Sequence, residues 1–282
     1  MRWTASRSVV HGAASTVMLI WFATCAAAQT PKLSNVDLCN GGNQKSAEAQ
    51  IIGCTTLIKS DINNQHVLAI AFNNRGNAYS GKGDYELAIH DYDESIKLDP
   101  NDAKPLNNRG VAYQKTSDYD RAIQDFDAAI KIDPNYADAF ANRAEVYQKK
   151  GDYLSALKDF DEAIRIQPAL MVVWNERCWT RTMVGELQAA LADCNEAIRL
   201  EPNVAAAFDS RGVTYLKLGQ WEPAIADFNS ALRLSPKLPT ALYGRGFAKL
   251  KNNEQASGKV DIAAAKTVEP NIEAEFASYG LR

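Results

Sequence analysis

Six prolines recur at a constant interval of 34 residues along most of the chain. The segments 103–136 and 137–170 align without a gap across this interval, so the whole pattern repeats and not the proline alone. A fixed period of this length is typical of a stacked repeat, in which each unit buries its apolar face against its neighbour. The six prolines are Pro100, Pro134, Pro168, Pro202, Pro236 and Pro270.

Each unit carries the pattern of two helices. In the first unit a large residue, Phe72, is followed four places later by the small residue Gly76. Its second half presents Ala88, Tyr92 and Ile96 at four-residue spacing, which is the apolar stripe of a helix and not the alternation of a strand. The proline then ends the second helix, since it has no N–H group and clashes with the preceding turn. We number the units repeats 1 to 6: 69–102, 103–136, 137–170, 171–204, 205–238 and 239–272.

These repeats resemble the tetratricopeptide repeat family over roughly residues 69–272. The family places a bulky residue, a small residue, a tyrosine, an alanine, an aromatic residue, a second alanine and a proline at fixed positions. Repeat 1 matches all of them except the second alanine, which is Ser95, while repeats 4 and 6 depart at several places. The resemblance implies an all-α, right-handed α-solenoid of antiparallel helix pairs. The matching residues of repeat 1 are Phe72, Gly76, Tyr79, Ala88, Tyr92 and Pro100.

Two flanking segments are predicted to cap the ends of the stack. Residues 35–68 read as a degenerate helical hairpin at the N-terminal end, with a turn at Asn40–Asn43. Residues 273–282 restart the pattern of a first helix, with Phe276 at the bulky place. A solenoid needs such caps because its terminal units would otherwise expose an apolar face.

The first 28 residues have the pattern of a secretory signal peptide. Arg2 and Arg7 precede an apolar run at 17–23, and the small residues 26–28 offer a cleavage site before a short linker, 29–34. We therefore expect an exported protein, periplasmic or secreted, with no membrane insertion after the signal is removed. Two alternatives are an uncleaved membrane anchor and a lipid attached to Cys25.

An arginine and an aspartate recur in every repeat, 16 residues apart, one on each helix of the pair. We predict that each pair forms an internal salt bridge that keeps its hairpin in register. A structural role is favoured over a catalytic one, because a functional site rarely recurs six times. The pairs are Arg75–Asp91, Arg109–Asp125, Arg143–Asp159, Arg177–Asp193, Arg211–Asp227 and Arg245–Asp261.

Four cysteines remain if the first 28 residues are removed. In the register of the family, Cys178 and Cys194 replace the small and the aromatic residue of other repeats, and Cys54 and Cys39 fall at or near the same two places. We predict the disulfides Cys39–Cys54 and Cys178–Cys194; reduced thiols in the core are the alternative. No metal site is expected, since His66 and His90 are not spaced with cysteine as ligands.

In this family the first helices line an inner, concave surface. The positions of each first helix whose side chains face this surface are called its inward places. They carry amides in repeats 1 to 3 and mostly apolar residues in repeats 4 to 6. Amides both donate and accept, so they can pair with the backbone of a bound peptide. The candidate peptide-contact residues are Asn73, Asn74, Asn77, Asn107, Asn108, Gln114, Asn142, Gln148, Val172, Trp179, Val213, Leu216 and Phe247.

The sequence favours binding over catalysis. It contains no glycine-rich phosphate loop and no zinc-protease helix motif, and we expect no cofactor. With 31 basic and 34 acidic residues, it is not expected to bind nucleic acid. The predicted function is a non-enzymatic scaffold that holds a protein or peptide segment in the groove. The alternatives are a structural subunit of an envelope complex and an accessory module for a separate enzyme.

Overall fold

The computed structural model describes residues 34–41 and 46–282. The predicted signal peptide, the lipidation alternative at Cys25, most of the linker and part of the turn after Asn40 lie outside these residues. The helical unit starts at Ser34 and extends to Arg282.

The described residues form fifteen helices and contain no strand. The predicted all-α solenoid of antiparallel helix pairs is confirmed. No helix among the described residues has the length and apolar character needed to cross a membrane. The helices are α1 Asn35–Cys39, α2 Ala47–Ile58, α3 Gln65–Lys82, α4 Tyr85–Leu98, α5 Ala103–Lys115, α6 Tyr119–Ile132, α7 Ala137–Lys149, α8 Tyr153–Ile166, α9 Met171–Val184, α10 Leu187–Leu200, α11 Ala205–Lys217, α12 Trp221–Leu234, α13 Pro239–Lys251, α14 Gln255–Val268 and α15 Ile272–Ser278.

Each first helix from α5 to α13 packs against the second helix of its own repeat and against the second helix of the preceding one. The small residue of the first helix makes this approach possible. A Cβ atom added to Gly110 would lie 2.7 Å from a ring carbon of Phe126, and one added to Gly212 would lie 2.7 Å from a ring carbon of Phe228. Such distances are too short for real Cβ contacts, so glycine lets the aromatic ring lie directly on the backbone of the first helix.

The turn between the two helices of a repeat requires a left-handed residue at one fixed place. Glycine fills it in four repeats, for example Gly83 with a φ of +84°. Ser117 and Asn253 fill it in the other two, with φ of +63° and +66°. Because a side chain disfavours this conformation, these two turns are more strained than their glycine counterparts.

Every predicted arginine–aspartate pair is in contact in the structure. The Nε and Nη2 atoms of each arginine donate to the two carboxylate oxygens of its aspartate, at 2.6–2.9 Å. The aspartate side chains are buried and the arginines nearly so; Asp91 is 2% exposed and Arg75 15%. The hydrogen bonds that Arg109 donates to Asp125 hold the pKa of its guanidinium above the usual range. The pairs therefore fix the two helices of each repeat in register.

The third nitrogen of the same arginines reaches back to the preceding repeat, a contact that the sequence reasoning did not predict. In repeat 2, Nη1 of Arg109 donates to Asp93 at 2.5 Å, and in repeat 4, Nη1 of Arg177 donates to Asp161 at 2.6 Å. An acid or amide stands 16 residues before the arginine in repeats 2 to 6, and this spacing was the available signal. The acceptors are Asp93, Asp127, Asp161, Asn195 and Asn229.

Disulfides join Cys39 to Cys54 and Cys178 to Cys194. All four residues are buried, with at most 1% of their surface exposed. In repeat 4, Cys178 and Cys194 occupy the places at which repeats 2 and 5 put a glycine under an aromatic ring. The bond thus replaces a packing contact between the two helices by a covalent one.

Replacing Cys178 and Cys194 together by alanine is expected to lower the free energy of unfolding by about 3 kcal/mol. The closed loop spans 16 residues, and opening it returns conformational entropy to the unfolded chain. Urea unfolding under non-reducing conditions measures the change. The control is the Cys39→Ala/Cys54→Ala variant, which can form only the Cys178–Cys194 bond; its reduction should lower its free energy of unfolding by a similar amount. An oxidised wild type no more stable than its reduced form would contradict the prediction.

Candidate functional site

The inner surface of repeats 1 and 2 contains a cavity of about 530 Å³. It lies between α3 and α5, so the first helices of two successive repeats form its walls. Four asparagines line it, together with one histidine, one lysine, one aspartate, one tyrosine and one isoleucine. These residues are Asn73, Asn74, Asn77, Asn108, His66, Lys104, Asp102, Tyr136 and Ile70.

Three asparagines at equivalent places of repeats 1 to 3 form a ladder along this surface; we call Asn74, Asn108 and Asn142 the asparagine ladder. The Nδ2 atom of Asn108 donates to the Oδ1 atom of Asn73, at 3.0 Å, and that of Asn142 donates to Oδ1 of Asn107, at 2.9 Å. Each rung thus joins one repeat to the one before it. Nδ2 of Asn108 also donates to Asn77, and its Oδ1 accepts from Asn107. An amide oxygen can accept two hydrogen bonds, so Asn108 retains acceptor capacity for a ligand.

Two predicted contact residues, Asn107 and Gln114, are wrong as groove residues. Asn107 is 5% exposed and Gln114 8%. The amide oxygen of Asn107 accepts from Asn142, and Nε2 of Gln114 donates to Glu145 at 3.2 Å. Both side chains lie between successive first helices, because a buried amide is stable only where the protein itself supplies its partners.

The ladder ends at repeat 4, where Glu176 takes the equivalent place. Gln148 is half-buried and donates through Nε2 to the hydroxyl of Thr180, at 2.5 Å, and to the carbonyl oxygen of Glu176. Burial, and then the charge of Glu145, raises the pKa of the Glu176 carboxyl. Gln148 therefore also bonds to the protein itself, and the cavity-lining amides are those of repeats 1 and 2.

The charged and aromatic lining of the cavity was missed by the sequence reasoning. Lys104 and Tyr136 lie on its wall, and Nδ1 of His66 is 3.2 Å from a carboxylate oxygen of Asp99. Lys104 stands at an inward place of repeat 2, which was the available signal. A cation beside several amides suits an extended backbone that carries an acidic side chain or another carboxylate.

The inner surface of repeats 4 to 6 is closed. Val213, Leu216 and Phe247 are 1%, 2% and 9% exposed, so the prediction that they face a groove ligand is wrong. They lie in one buried cluster with Phe276 and Leu281 of the last segment, and α11 packs directly on α9 and α13. These contacts exclude solvent from the three side chains.

The other two predicted apolar contacts behave differently from each other. Val172 is 56% exposed on α9. Trp179, two helical turns further along α9, is half-buried because the ring of Tyr279 packs edge-on against it, with ring centroids 4.9 Å apart.

The carboxylate of Asp209 lies beneath residues 272–282, and only one of its two oxygens is hydrogen-bonded within the described residues. The hydroxyl of Thr240 donates to Oδ2 of Asp209 at 2.5 Å, whereas Oδ1 is shielded from solvent and has no hydrogen-bond partner among the described residues. Burial raises the pKa of the Asp209 carboxyl to about 7, and the negative charge of Glu275 adds to the shift. The described residues contain no group of three or more potential ligands arranged to hold a metal ion.

Two family profiles match the repeats of this chain. The sequence profile of the tetratricopeptide repeat matches residues 69–102, 103–136 and 137–170, and a second profile described as a TPR repeat matches residues 212–253. The chain belongs to the tetratricopeptide repeat family. Together these matches cover slightly more than half of the chain.

Solved structures of tetratricopeptide repeat (TPR) proteins share the fold. YrrB, titled a TPR protein with an unusual peptide-binding site, is 24% identical, with a TM-score of 0.55 over 68% of this chain and 97% of its own. A TPR protein from Parabacteroides merdae is 18% identical, with a TM-score of 0.64 over 88% and 95%. PilW, titled a widely conserved type IV pilus biogenesis factor, is 18% identical, with a TM-score of 0.66 over 72% and 94%. A search among curated proteins finds no match.

Proposed function

We propose that the protein is a scaffold that binds an extended polypeptide segment along the inner surface of repeats 1 to 3. The asparagine ladder beside the open cavity carries this proposal. Amide groups repeated at the spacing of the repeats can pair with backbone groups at intervals along an extended ligand, whatever its side chains. TPR proteins act as protein-binding scaffolds, and YrrB is described as a TPR protein with an unusual peptide-binding site.

A binding role accounts for the chemistry of this site better than a catalytic one. Its recurring groups are amides, which neither titrate near neutral pH nor act as nucleophiles. We therefore propose a non-enzymatic protein whose specificity comes from Lys104, His66 and Tyr136 around the amides. A carboxylate on the ligand would complement Lys104.

We also propose that the protein works outside the cytoplasm, in the periplasm or as a secreted protein. Two disulfides support this location, because such bonds form and persist in oxidising compartments. The signal-peptide pattern of residues 1–28 supports it as well.

The double substitution Asn74→Ala/Asn108→Ala is expected to weaken peptide binding about 10- to 30-fold. Each lost hydrogen bond to a ligand costs about 1 kcal/mol, and two residues are removed. The probe is an array of short, unstructured synthetic peptides, from which the wild-type protein selects binders. Fluorescence anisotropy with one selected peptide then gives the dissociation constants.

Asn203→Ala provides the matched control, since Asn203 is an exposed asparagine in the turn between α10 and α11. It should bind the selected peptide as the wild type does. Circular dichroism must show that the double variant stays folded, because Asn108 also bonds to Asn73 and Asn77. Two results would refute the proposal: a folded double variant with wild-type affinity, or a wild type that retains no peptide from the array.

A further inference from the structure

The segment Ile272–Arg282 folds over the inner surface of repeats 4 to 6. Helix α15 packs on α13 and α14, with Ile272 and Phe276 fully buried. The ring of Phe276 lies 4.6 Å from that of Tyr243, which stands at an inward place of α13. The start of the segment therefore both caps the stack and enters its inner side.

The end of this segment is turned inward by a defined helix terminus. The N–H of Leu281 donates to the carbonyl oxygen of Phe276, that of Gly280 donates to Ala277, and Gly280 has a φ of +82°. This is a Schellman ending, in which the left-handed residue reverses the chain and an apolar contact forms across it. It brings Leu281 into the buried cluster.

The segment spans several repeats along the inner surface. Tyr279 packs on Trp179 of repeat 4, while the side-chain amine of Lys251 in repeat 6 donates to the main-chain oxygen of Arg282 at 3.4 Å. A simple cap would contact the last repeat alone. Contacts from repeat 6 back to repeat 4 are those of a ligand lying in the groove.

One contact under the segment is unfavourable. Oδ1 of Asp209 is shielded from solvent and has no hydrogen-bond partner in the part of the chain that the structure describes, and the segment places near it Glu275, a charge of the same sign. A buried polar atom without a partner costs free energy that a donor at that place would recover. The aromatic side chains of the segment thus pack well on this surface, whereas Glu275 places a negative charge near the negative carboxylate of Asp209.

We propose that the inner surface of repeats 4 to 6 is a second docking site, for an amphipathic helical segment of another polypeptide, and that Ile272–Arg282 fills it as a built-in substitute. The external segment carries two aromatic residues three positions apart, in the places of Phe276 and Tyr279. Directly before the first aromatic it carries lysine or arginine, which pairs with Asp209 where Glu275 does not. The inference rests on the proposed use of the inner surface for binding polypeptides, but it concerns other repeats.

The test adds labelled peptides to the full chain and measures their affinity by fluorescence anisotropy. The probes are the peptide of residues 272–282, the same peptide with the Glu275→Lys change, and a scrambled control. The receptors are the wild type and Phe276→Ala/Tyr279→Ala, in which the built-in segment has lost both aromatic anchors. Ser278→Ala is the matched receptor control, because Ser278 is exposed on the same helix.

The double variant is expected to bind the 272–282 peptide at least about tenfold more tightly than the wild type and Ser278→Ala do. In those two proteins the tethered segment competes at high effective concentration. The lysine peptide should bind the double variant about tenfold more tightly than the unchanged peptide, because it satisfies the stranded carboxylate. Adding Trp179→Ala should remove most of this affinity.

Three results would overturn the inference: equal affinities for the wild type and the folded double variant, equal binding of the scrambled peptide, or binding that is insensitive to Trp179→Ala. If the double variant does not fold, Tyr279→Ala alone keeps Ile272 and Phe276 in place and should still raise the affinity about threefold; an unchanged affinity counts against the site. Adding Asn74→Ala/Asn108→Ala to the double variant should leave peptide binding unchanged. This last comparison separates failure of the second site from failure of the site in repeats 1 to 3.

Discussion

Asp91→Asn is expected to lower the free energy of unfolding by about 3–5 kcal/mol. Asp91 is 2% exposed and accepts from both Nε and Nη2 of Arg75. Asparagine has nearly the same shape but no charge, so the guanidinium would stay largely buried without its counterion. The other hydrogen bond of Arg75 goes to the neutral hydroxyl of Thr55 and cannot replace the charge.

Asp125→Asn is the informative comparison for this prediction. Its partner Arg109 also donates to Asp93, so one carboxylate would remain and the loss should be smaller than for Asp91→Asn. Asp120→Asn is the exposed control: the Asp120 side chain is 82% exposed and pairs with Lys150, and such surface pairs contribute about 1 kcal/mol or less. Urea unfolding monitored by circular dichroism gives all three values. Equal decreases in the free energy of unfolding for the three variants would show that the burial of a salt bridge does not determine how much it stabilises the protein.

The period of the sequence carries the information needed to predict contacts that recur from repeat to repeat. The helix pairs and the partners of Arg75 and its five equivalents could be found because the same two places recur together with the same spacing. The acceptor in the preceding repeat was equally available, since Asp93 and its equivalents also follow the period. A prediction limited to contacts within one repeat does not find it, because Asp93 and Arg109 belong to different repeats.

Features that do not recur could not be predicted in this way. Val213 and Leu216 stand at inward places, and the family register makes them groove residues. Their burial depends on how closely α9, α11 and α13 approach each other and on the segment that ends with Tyr279 and Leu281. These contacts join residues far apart in the sequence and occur once, so no periodicity reports them.

Phe228→Ala is expected to lower the free energy of unfolding by about 3–5 kcal/mol. The ring is fully buried in repeat 5 and lies against both Gly212 and Gly244. Removing it leaves a cavity between α11, α12 and α13 that backbone atoms cannot fill without moving. Leu154→Ala is the control for lost apolar area alone, because Leu154 is 71% exposed and its truncation should change stability by about 0.5 kcal/mol or less.

The effect of Gly212→Ala on the free energy of unfolding is expected to change sign when Phe228 is also replaced by alanine. In the wild type the new Cβ would lie 2.7 Å from a ring carbon of Phe228, so the substitution should destabilise the protein. In the Phe228→Ala background that carbon is gone, and alanine is better than glycine inside a helix by up to about 1 kcal/mol. Urea unfolding of the two single variants and the double variant measures this coupling. Additive effects would mean that the two places do not touch, and would also remove the reason why a pair of cysteines can take those places in repeat 4.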